Sequence, residues 1–249
     1  MELVIINRPR VFPYRRKYQI AKRILDVTLC LLALPLALPL MAICALAIRL
    51  DSSGPVLFVQ ERVGKGGRRF RMYKFRTMQH DLDSSSHQSF MKAYVNGQLD
   101  GGADKAGKNS NGRCLSIRPS VDVPLGNNGN GKIYKPIQAS QVTRVGRILR
   151  KTSLDEFPQI FNVFRGEMSW VGPRPNVPWE VEEYHSWHQE RLEVLPGITG
   201  LAQVRGRSGI LFDRIVEYDI EYIEHQSLKM DLKVLWWTLI TVFLGDAAE

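Results

Sequence analysis

An uncharged apolar run near the start of the chain limits what this sequence can fold into more than any other feature. From Val27 to Ile48 the residues "VTLCLLALPLALPLMAICALAI" contain no charged side chain. The run is about as long as the roughly 20 residues that a helix needs to cross the hydrocarbon core of a bilayer. It therefore predicts a membrane segment. A signal peptide is disfavoured, because the run is too long for the apolar region of such peptides and begins late.

Two prolines inside the run, Pro35 and Pro39, argue against a simple crossing. A proline in a helix interior lacks an N–H donor and clashes with the preceding turn, so we expect the helix to kink or break there. Both flanks of the run are basic, as cytoplasmic flanks of membrane segments typically are; they contain Arg15, Arg16, Lys17, Lys22 and Arg23 before it and Arg49, Arg62, Lys65, Arg68, Arg69 and Arg71 after it. A re-entrant helical hairpin satisfies both observations, and a kinked transmembrane helix is the alternative.

The charge balance predicts an anionic partner. The 249 residues contain 34 Lys and Arg against 25 Asp and Glu, a formal charge of +9. Such an excess is typical of proteins that bind nucleic acid, anionic lipid or a phosphorylated substrate, and charge alone does not choose among them. The cysteines Cys30, Cys44 and Cys114 lack metal-ligand spacing, so they predict neither a zinc site nor a disulfide framework.

Downstream of the run, three stretches have different compositions. The residues "GPVLFVQERVGKGGRRFRMYKFRTM" (54–78) alternate around a glycine-rich break and predict a β-hairpin. Residues 80–139 are rich in Gly, Asn, Ser and Asp and predict a long flexible insertion; Asp81 and Asp83 within it are expected in a solvated turn.

His185 and His188 are expected to be exposed on a helix. The apolar end, 231–245, with Trp236 and Trp237, predicts either an interfacial helix or a buried core helix.

Two adjacent carboxylates, Asp155 and Glu156, lie at the start of a predicted helix, "SLDEFPQIFNVF". Helical spacing predicts one packed face, which would contain Leu154, Phe157, Ile160, Phe161 and Phe164, with Asp155 on the opposite side. Ser153-x-x-Glu156 also fits a capping box, in which Glu156 would bond back to the Ser153 backbone. Capping alone does not explain Asp155.

The surroundings of the pair favour chemistry. Arg144, Arg147, Arg150 and Lys151 precede it, and Arg174 follows between Pro173 and Pro175. The prolines restrict the backbone on both sides of Arg174. A rigidly held arginine suits bidentate capture of phosphate, and adjacent carboxylates can bind Mg²⁺ or supply a nucleophile. Together with the membrane segment, these groups predict phosphoryl transfer at a bilayer surface.

Several motifs resemble those of the bacterial sugar transferases, the monotopic polyprenyl-phosphate phosphoglycosyl transferases. These are Arg23 and Asp26 with the proline-broken run, "YKFRTM" (73–78), "SLDEFPQIFNVFRGEMSWVGPRP" (153–175), "PGITGLAQVRGR" (196–207) and "DLKVL" (231–235). The sequence departs from the family pattern at two places. Leu38 precedes Pro39 where the family often has Ser, and Arg205 stands where it commonly has Asn.

The resemblance implies a mostly helical α+β fold, bound to one leaflet of the bacterial cytoplasmic membrane with its catalytic core on the cytoplasmic face. It implies a single domain over 1–249, made of a basic segment (1–20), a re-entrant helix (21–50) broken at Pro39 and Pro35, a β-hairpin region (51–78), a polar insertion (79–140) and a catalytic core ending in an interfacial helix (141–249). Inner-leaflet phospholipids would be partners, no nucleic acid is expected, and the resemblance leaves room for a homodimer.

The resemblance also implies the reaction: transfer of sugar-1-phosphate from a nucleotide diphosphate sugar, usually a UDP-sugar, to polyprenyl phosphate. Asp155 would attack the phosphorus that bears the sugar, and Glu156 would assist it or share a Mg²⁺ ion, with Mn²⁺ as a substitute. The implied substrate-binding residues are Lys74, Arg76, Arg150, Pro173, Arg174, Pro175, Gln203 and Arg207. The alternative is a non-catalytic basic membrane module that binds anionic lipid or nucleic acid.

Overall fold

The computed structural model describes residues 15–79, 85–96, 141–206 and 210–243. The helices in these ranges are α1 (Arg16–Asp51), α2 (Ser85–Val95), α3 (Arg144–Lys151), α4 (Ile160–Arg165), α5 (Pro178–Val181), α6 (Leu201–Gly206), α7 (Phe212–Glu224) and α8 (Leu228–Phe243). The strands are β1 (Leu57–Val63), β2 (Arg69–Phe75), β3 (Ser169–Val171) and β4 (Gly197–Thr199). The mostly helical fold with a small hairpin agrees with the predicted class.

Helix α1 runs through both prolines without interruption. The break predicted at Pro35 and Pro39 is therefore absent from the described helix. Each proline removes only one backbone donor, whereas packing supports one face of the helix from Asp26 to Ile48. Its buried side chains recur at intervals of four or seven residues, which is one face of an α-helix; they are Asp26, Cys30, Ala37, Cys44 and Ile48.

Both ends of α1 contact the rest of the protein. Near its start, Arg15 Nη1 donates a hydrogen bond to the Gln226 carbonyl at 3.1 Å. At its end, Asp51 Oδ2 accepts one from the Val145 amide at 3.0 Å. The opposite face is exposed and apolar, with Ile20, Ile24, Leu31, Leu32, Leu36, Leu38, Ile43, Leu46 and Leu50. By length and composition, α1 is the described helix that could cross a membrane.

The predicted β-hairpin is confirmed. Strands β1 and β2 pair antiparallel from Leu57 opposite Phe75 to Val63 opposite Arg69. The connecting turn contains Gly66 and Gly67, both at positive φ, a conformation that glycine adopts without steric cost. On β2, Met72 packs with α1 and α4, and Phe75 packs with α1 and α3. The hairpin is thereby fixed to the long helix.

The segment after α3 differs from the predicted single helix. Residues Leu154–Gln159 form a 3₁₀ helix, and an α-helix begins only at Ile160. A 3₁₀ helix has three residues per turn, whereas the predicted packed face was counted from Leu154 at 3.6 residues per turn. The prediction therefore assigns the wrong side chains to the buried face by the time α4 begins. Ile160 is buried as predicted, but Phe161 and Phe164 are 38% and 47% exposed. Part of the predicted packed face is therefore wrong.

The polar region is not entirely an unstructured insertion. Helix α2 lies within it, and its Met91 and Val95 are buried. Met91 packs near Trp179 of α5, and Val95 packs with Phe212 and Val216 of α7. The predicted flexibility of the remainder, and the turn at Asp81 and Asp83, concern residues outside the described ranges.

Two other predictions are resolved by burial. Helix α8 buries Val234 while Leu232, Trp236, Leu239 and Ile240 are exposed, so it has one core face and one exposed apolar face. The exposed position predicted for His188 is wrong. Its ring is fully buried among Tyr184, Trp187 and Phe212, with Nε2 3.1 Å from Asp213 Oδ1.

Candidate active site

The carboxylate pair lies in the 3₁₀ segment between α3 and α4. Ser153, which precedes it, has a left-handed backbone (φ 56°) and its side chain makes no capping hydrogen bond. The capping box predicted for Ser153 and Glu156 is therefore wrong. The Glu156 amide does bond to the Ser153 carbonyl at 3.3 Å, but the Glu156 carboxylate turns away from the backbone. It pairs with Lys74 and Arg174, which are distant in the sequence, and not with the Ser153 amide.

Glu156 binds two cations through one oxygen. Lys74 Nζ of β2 and Arg174 Nη2 each lie 3.1 Å from Glu156 Oε1. Burial by itself would raise the pKa of Glu156, but Lys74 and Arg174 outweigh that effect and lower the pKa to about 2. Burial lowers the pKa of Lys74, and Glu156 opposes that change. Glu156 is thus an ionised counterion that joins the hairpin to the Arg174 loop.

The side chain of Asp155 differs from that of its neighbour in having no hydrogen bond or ion pair with any described residue. It is half-buried, and the charges that act on it are Lys74, Glu156, Arg174 and Arg150. Burial, together with the adjacent Glu156, raises its pKa, while the three cations oppose this. A carboxylate with unused oxygens in a cationic surrounding is suited to react with, or bind beside, a phosphorylated ligand.

Arg150 reaches this site from α3. Its Nε donates a hydrogen bond to Thr77 Oγ1 at 3.0 Å, just beyond β2. One turn earlier, Gly146 packs against the same segment so closely that an added Cβ would lie 2.2 Å from the Thr77 carbonyl oxygen. Only glycine permits this approach of α3 to the segment that follows β2. The approach places Arg150 among the charges around Asp155.

Arg174 lies on a loop that leaves β3. Pro173 and Pro175 are buried, whereas the Arg174 side chain is 47% exposed. Its Nη2 pairs with Glu156, and no described residue accepts a hydrogen bond from its Nε or Nη1. The buried prolines fix the loop and do not themselves present a surface to a ligand, while Arg174 has N–H groups available.

Lys74 is positioned by a residue that the sequence did not single out. Asn162 of α4 is fully buried. Its Oδ1 accepts a hydrogen bond from the Tyr73 amide at 3.2 Å, and its Nδ2 donates to the Arg71 carbonyl at 2.7 Å. The side chain therefore substitutes for a neighbouring strand along the free edge of β2. A single polar residue within the apolar stretch "IFNVF" was the available sequence signal.

Two of the predicted substrate-binding residues that the structure describes, Arg76 and Gln203, are not joined to this cluster. Arg76 is buried, and its guanidinium bonds to Ser52 and Ser53 after α1, including the Ser52 carbonyl at 2.8 Å. Gln203 Nε2 donates to the Ile198 carbonyl at 3.1 Å, and Gln203 Oε1 is buried without a partner among the described residues. Arg207 lies outside the described ranges. Their substrate contacts stay predictions.

The donor set at the site accommodates Mg²⁺ only with help from a ligand. Among the described residues no group of three or more His, Cys, Asp and Glu side chains could hold a metal ion. Glu156 Oε1 is already paired with two cations, which leaves its Oε2 and the Asp155 carboxylate. Mg²⁺ in nucleotide sites is typically bound by one or two carboxylates together with phosphate oxygens and water, and the residues present fit that pattern.

Comparison with known proteins identifies the relationship. Residues 17–245 match the model of the family described as bacterial sugar transferase. The chain is 36% identical over 237 residues to "Galactosyl transferase CpsE" of Streptococcus agalactiae, which covers 95% of this chain and 45% of that protein. It is 37% identical over 235 residues to a "UDP-glucose:undecaprenyl-phosphate glucose-1-phosphate transferase" of Caulobacter vibrioides, covering 91% of this chain and 71% of the relative.

A shorter relative matches over most of its own length. The "Exopolysaccharide production protein ExoY" of Sinorhizobium fredii is 33% identical over 226 residues, covering 91% of this chain and 87% of that protein. This chain thus spans under half of the Streptococcus relative and most of the Sinorhizobium one. The family match extends from the first turn of α1 to beyond α8 and includes every residue of the cluster around Asp155. On these grounds the chain belongs to the bacterial sugar transferase family.

Proposed function

We propose that this protein transfers sugar-1-phosphate from a UDP-sugar to polyprenyl phosphate through a covalent intermediate on Asp155. An Asp155 oxygen attacks the phosphorus that bears the sugar, the bond from that phosphorus to the bridging oxygen breaks, and UMP leaves. A phosphate oxygen of the polyprenyl acceptor then attacks the same phosphorus and releases Asp155. The product is polyprenyl diphosphate sugar.

The observation that carries this proposal is the contrast between the two carboxylates. Glu156 is paired with Lys74 and Arg174, whereas the Asp155 carboxylate lies among the same cations and pairs with no residue in the described ranges. A carboxylate attacks phosphorus without needing a base, but its charge repels an anionic diphosphate. The surrounding Lys74, Arg150 and Arg174 offset that repulsion. Relatives named for UDP-sugar and undecaprenyl-phosphate substrates favour the same reaction.

Mg²⁺ belongs to this proposal as the ion that would neutralise the diphosphate of the donor. Asp155 and the Oε2 of Glu156 would hold it together with diphosphate oxygens, and Mn²⁺ could replace it. Arg174 and Arg150 would bind phosphate oxygens, and Lys74 would keep Glu156 ionised and in place.

We also propose that the protein lies on one leaflet of the cytoplasmic membrane. Support comes from the packing of α1: contacts at Arg15 and at Asp51 tie both of its ends to the same body. A helix crossing the bilayer perpendicularly would carry one end away from that body. The exposed apolar faces of α1 and α8, together with Phe161 and Phe164, would contact inner-leaflet phospholipids.

The test is release of UMP from UDP-glucose, UDP-galactose and UDP-N-acetylgalactosamine with undecaprenyl phosphate and Mg²⁺. We expect turnover of at least one donor by the unaltered protein, loss of turnover in Asp155→Asn, and little change in the control Asp213→Asn, whose side chain is 59% exposed. With donor alone, a sugar phosphate on the Asp155 peptide is expected by mass spectrometry after rapid quenching.

The outcomes separate the competing functions. Full activity in Asp155→Asn would refute the covalent mechanism. No UMP release from any of the three UDP-sugars, with retained binding to anionic vesicles, would instead favour a non-catalytic membrane module.

A further inference from the structure

The loop that carries Arg174 has an unusual pattern of backbone hydrogen bonds. Pro173 and Pro175 have no N–H, so the loop cannot close on itself through those donors. Its carbonyl groups nevertheless require partners, because most of the loop is buried. The partners come from outside the loop.

Four consecutive carbonyls each accept a hydrogen bond from a different position. The Gly197 amide donates to Pro173 O at 2.9 Å, and the Val63 amide donates to Asn176 O at 2.9 Å. Between them, the two central carbonyls are bonded by arginine side chains. Arg191 Nη2 donates to Arg174 O at 3.2 Å, and Arg62 Nη1 donates to Pro175 O at 3.0 Å.

Arg191 is itself firmly held. Its Nη1 donates to Tyr184 Oη at 3.0 Å, and its Nη2 lies 2.6 Å from Asp219 Oδ2. That short contact is an ion pair without an aligned N–H, since Asp219 Oδ2 accepts no well-directed hydrogen bond from the described residues. Both side chains are only 2% exposed, so neither can contact a substrate directly.

Arg62 is held in a similar way on the other side of the loop. Its Nη2 donates to Gln60 Oε1 at 2.6 Å, and its Nε is buried without a partner among the described residues. Burial, followed by repulsion from the nearby Arg174, lowers the pKa of Arg62 to about 10. Bringing the buried Arg191 and the half-buried Arg62 beside a third cation is electrostatically costly, and apolar side chains would fill the space without that cost.

We propose that Arg191 and Arg62 are positioning residues for Arg174, fixing its backbone so that its free N–H groups meet a phosphate of the nucleotide sugar. This inference rests on the proposed function, because it assigns the ligand of Arg174. The Arg191–Asp219 pair connects the loop to α7, and Arg62 connects it to β1. The orientation of Arg174 is therefore set by two elements that lie outside the Asp155 cluster.

A double-mutant cycle tests this coupling. The variant Arg191→Met/Asp219→Leu removes the hydrogen bond to Arg174 O without leaving one buried charge unpaired, a replacement that buried pairs often tolerate. We expect kcat/KM to fall roughly 10- to 100-fold, as for other small misplacements of a binding group. When Arg174→Ala is already present, adding Arg191→Met/Asp219→Leu should lower kcat/KM further by less than about threefold. Arg62→Met should behave in the same way.

The matched control is His188→Leu. His188 lies in the same 3₁₀ helix as Arg191, Ser186–Glu193, and packs on the same Phe212 ring, but it has no hydrogen bond to the loop of Arg174. Its kcat/KM should stay within about threefold of the unaltered protein. Unfolding temperatures in detergent, measured for all variants, separate a loss of fold from a loss of positioning.

The results discriminate between the two proposals. Equal losses of kcat/KM with and without Arg174, or unfolding of both arginine variants, would overturn the positioning role. If the unaltered protein turns over no donor, the proposed function fails, and the same cycle is measured on the dissociation constant for UDP with Mg²⁺. Non-additivity in that constant supports positioning, whereas additivity, or no binding of UDP by the unaltered protein, overturns it.

Discussion

Replacement of Glu156 by Gln should destabilise the protein by an amount that depends on pH. Lys74 and Arg174 lower the pKa of Glu156 from 4.5 to about 2 against the effect of burial. One pKa unit corresponds to about 1.4 kcal/mol, so the ionised carboxylate contributes roughly 3 kcal/mol to the free energy of unfolding. The side chain is 19% exposed, and solvent screening is accordingly limited. Gln keeps the shape but provides no counter-charge for Lys74.

The sign of the pH dependence follows from linkage. A lowered folded-state pKa means that the stabilisation is fully present above the unfolded value of 4.5 and is lost as the pH falls towards 2. The difference between Glu156→Gln and the unaltered protein should therefore be roughly 3 kcal/mol at pH 7, and less than half of that should remain at pH 3.

Urea unfolding in detergent at several pH values measures this difference. The control Glu221→Gln removes an exposed pair with Arg205 and should change the free energy of unfolding by less than about 1 kcal/mol. A Glu156→Gln penalty that is equal at pH 7 and pH 3 would show that packing, and not the charge, explains the effect.

Three further predictions concern other parts of the chain. Asn162→Leu should lower the free energy of unfolding by about 1–3 kcal/mol, because it leaves backbone groups of β2 unpaired; urea unfolding checks this, and an unchanged midpoint would contradict the edge-pairing role. Replacing Gly97 to Gly131 with a short Gly-Ser linker should leave UMP release intact, since loop length costs little entropy, and complete loss with normal expression would mean that the segment forms part of the substrate site. A Ser53→Cys variant in intact cells should resist a membrane-impermeant thiol reagent applied from outside, whereas labelling would demonstrate a full crossing.

The sequence by itself determined the features that depend on local chemistry. The length and uncharged character of the apolar run predicted α1, because an apolar segment of that length is typical of a helix in a membrane. Alternation around Gly66 and Gly67 predicted the hairpin, since positive φ values favour glycine at the turn. The proximity of acidic and basic motifs also indicated phosphate chemistry, although the substrate contacts of all the predicted site residues stay predictions.

Tertiary structure decided the features that depend on competition between distant groups. The sequence Ser153-x-x-Glu156 fits a capping box. In the folded protein the Glu156 carboxylate instead pairs with the cations Lys74 and Arg174, which bind it more strongly than the neutral Ser153 amide would. Continuity of α1 through Pro35 and Pro39 likewise depended on packing along its buried face, which no window of sequence reveals. The loop of Arg174 is supported by Arg62, which lies 113 positions from Pro175, and by Arg191, which lies 17 positions from Arg174. Arg174 is exposed, whereas Arg191 is buried, and burial is a property of the folded chain.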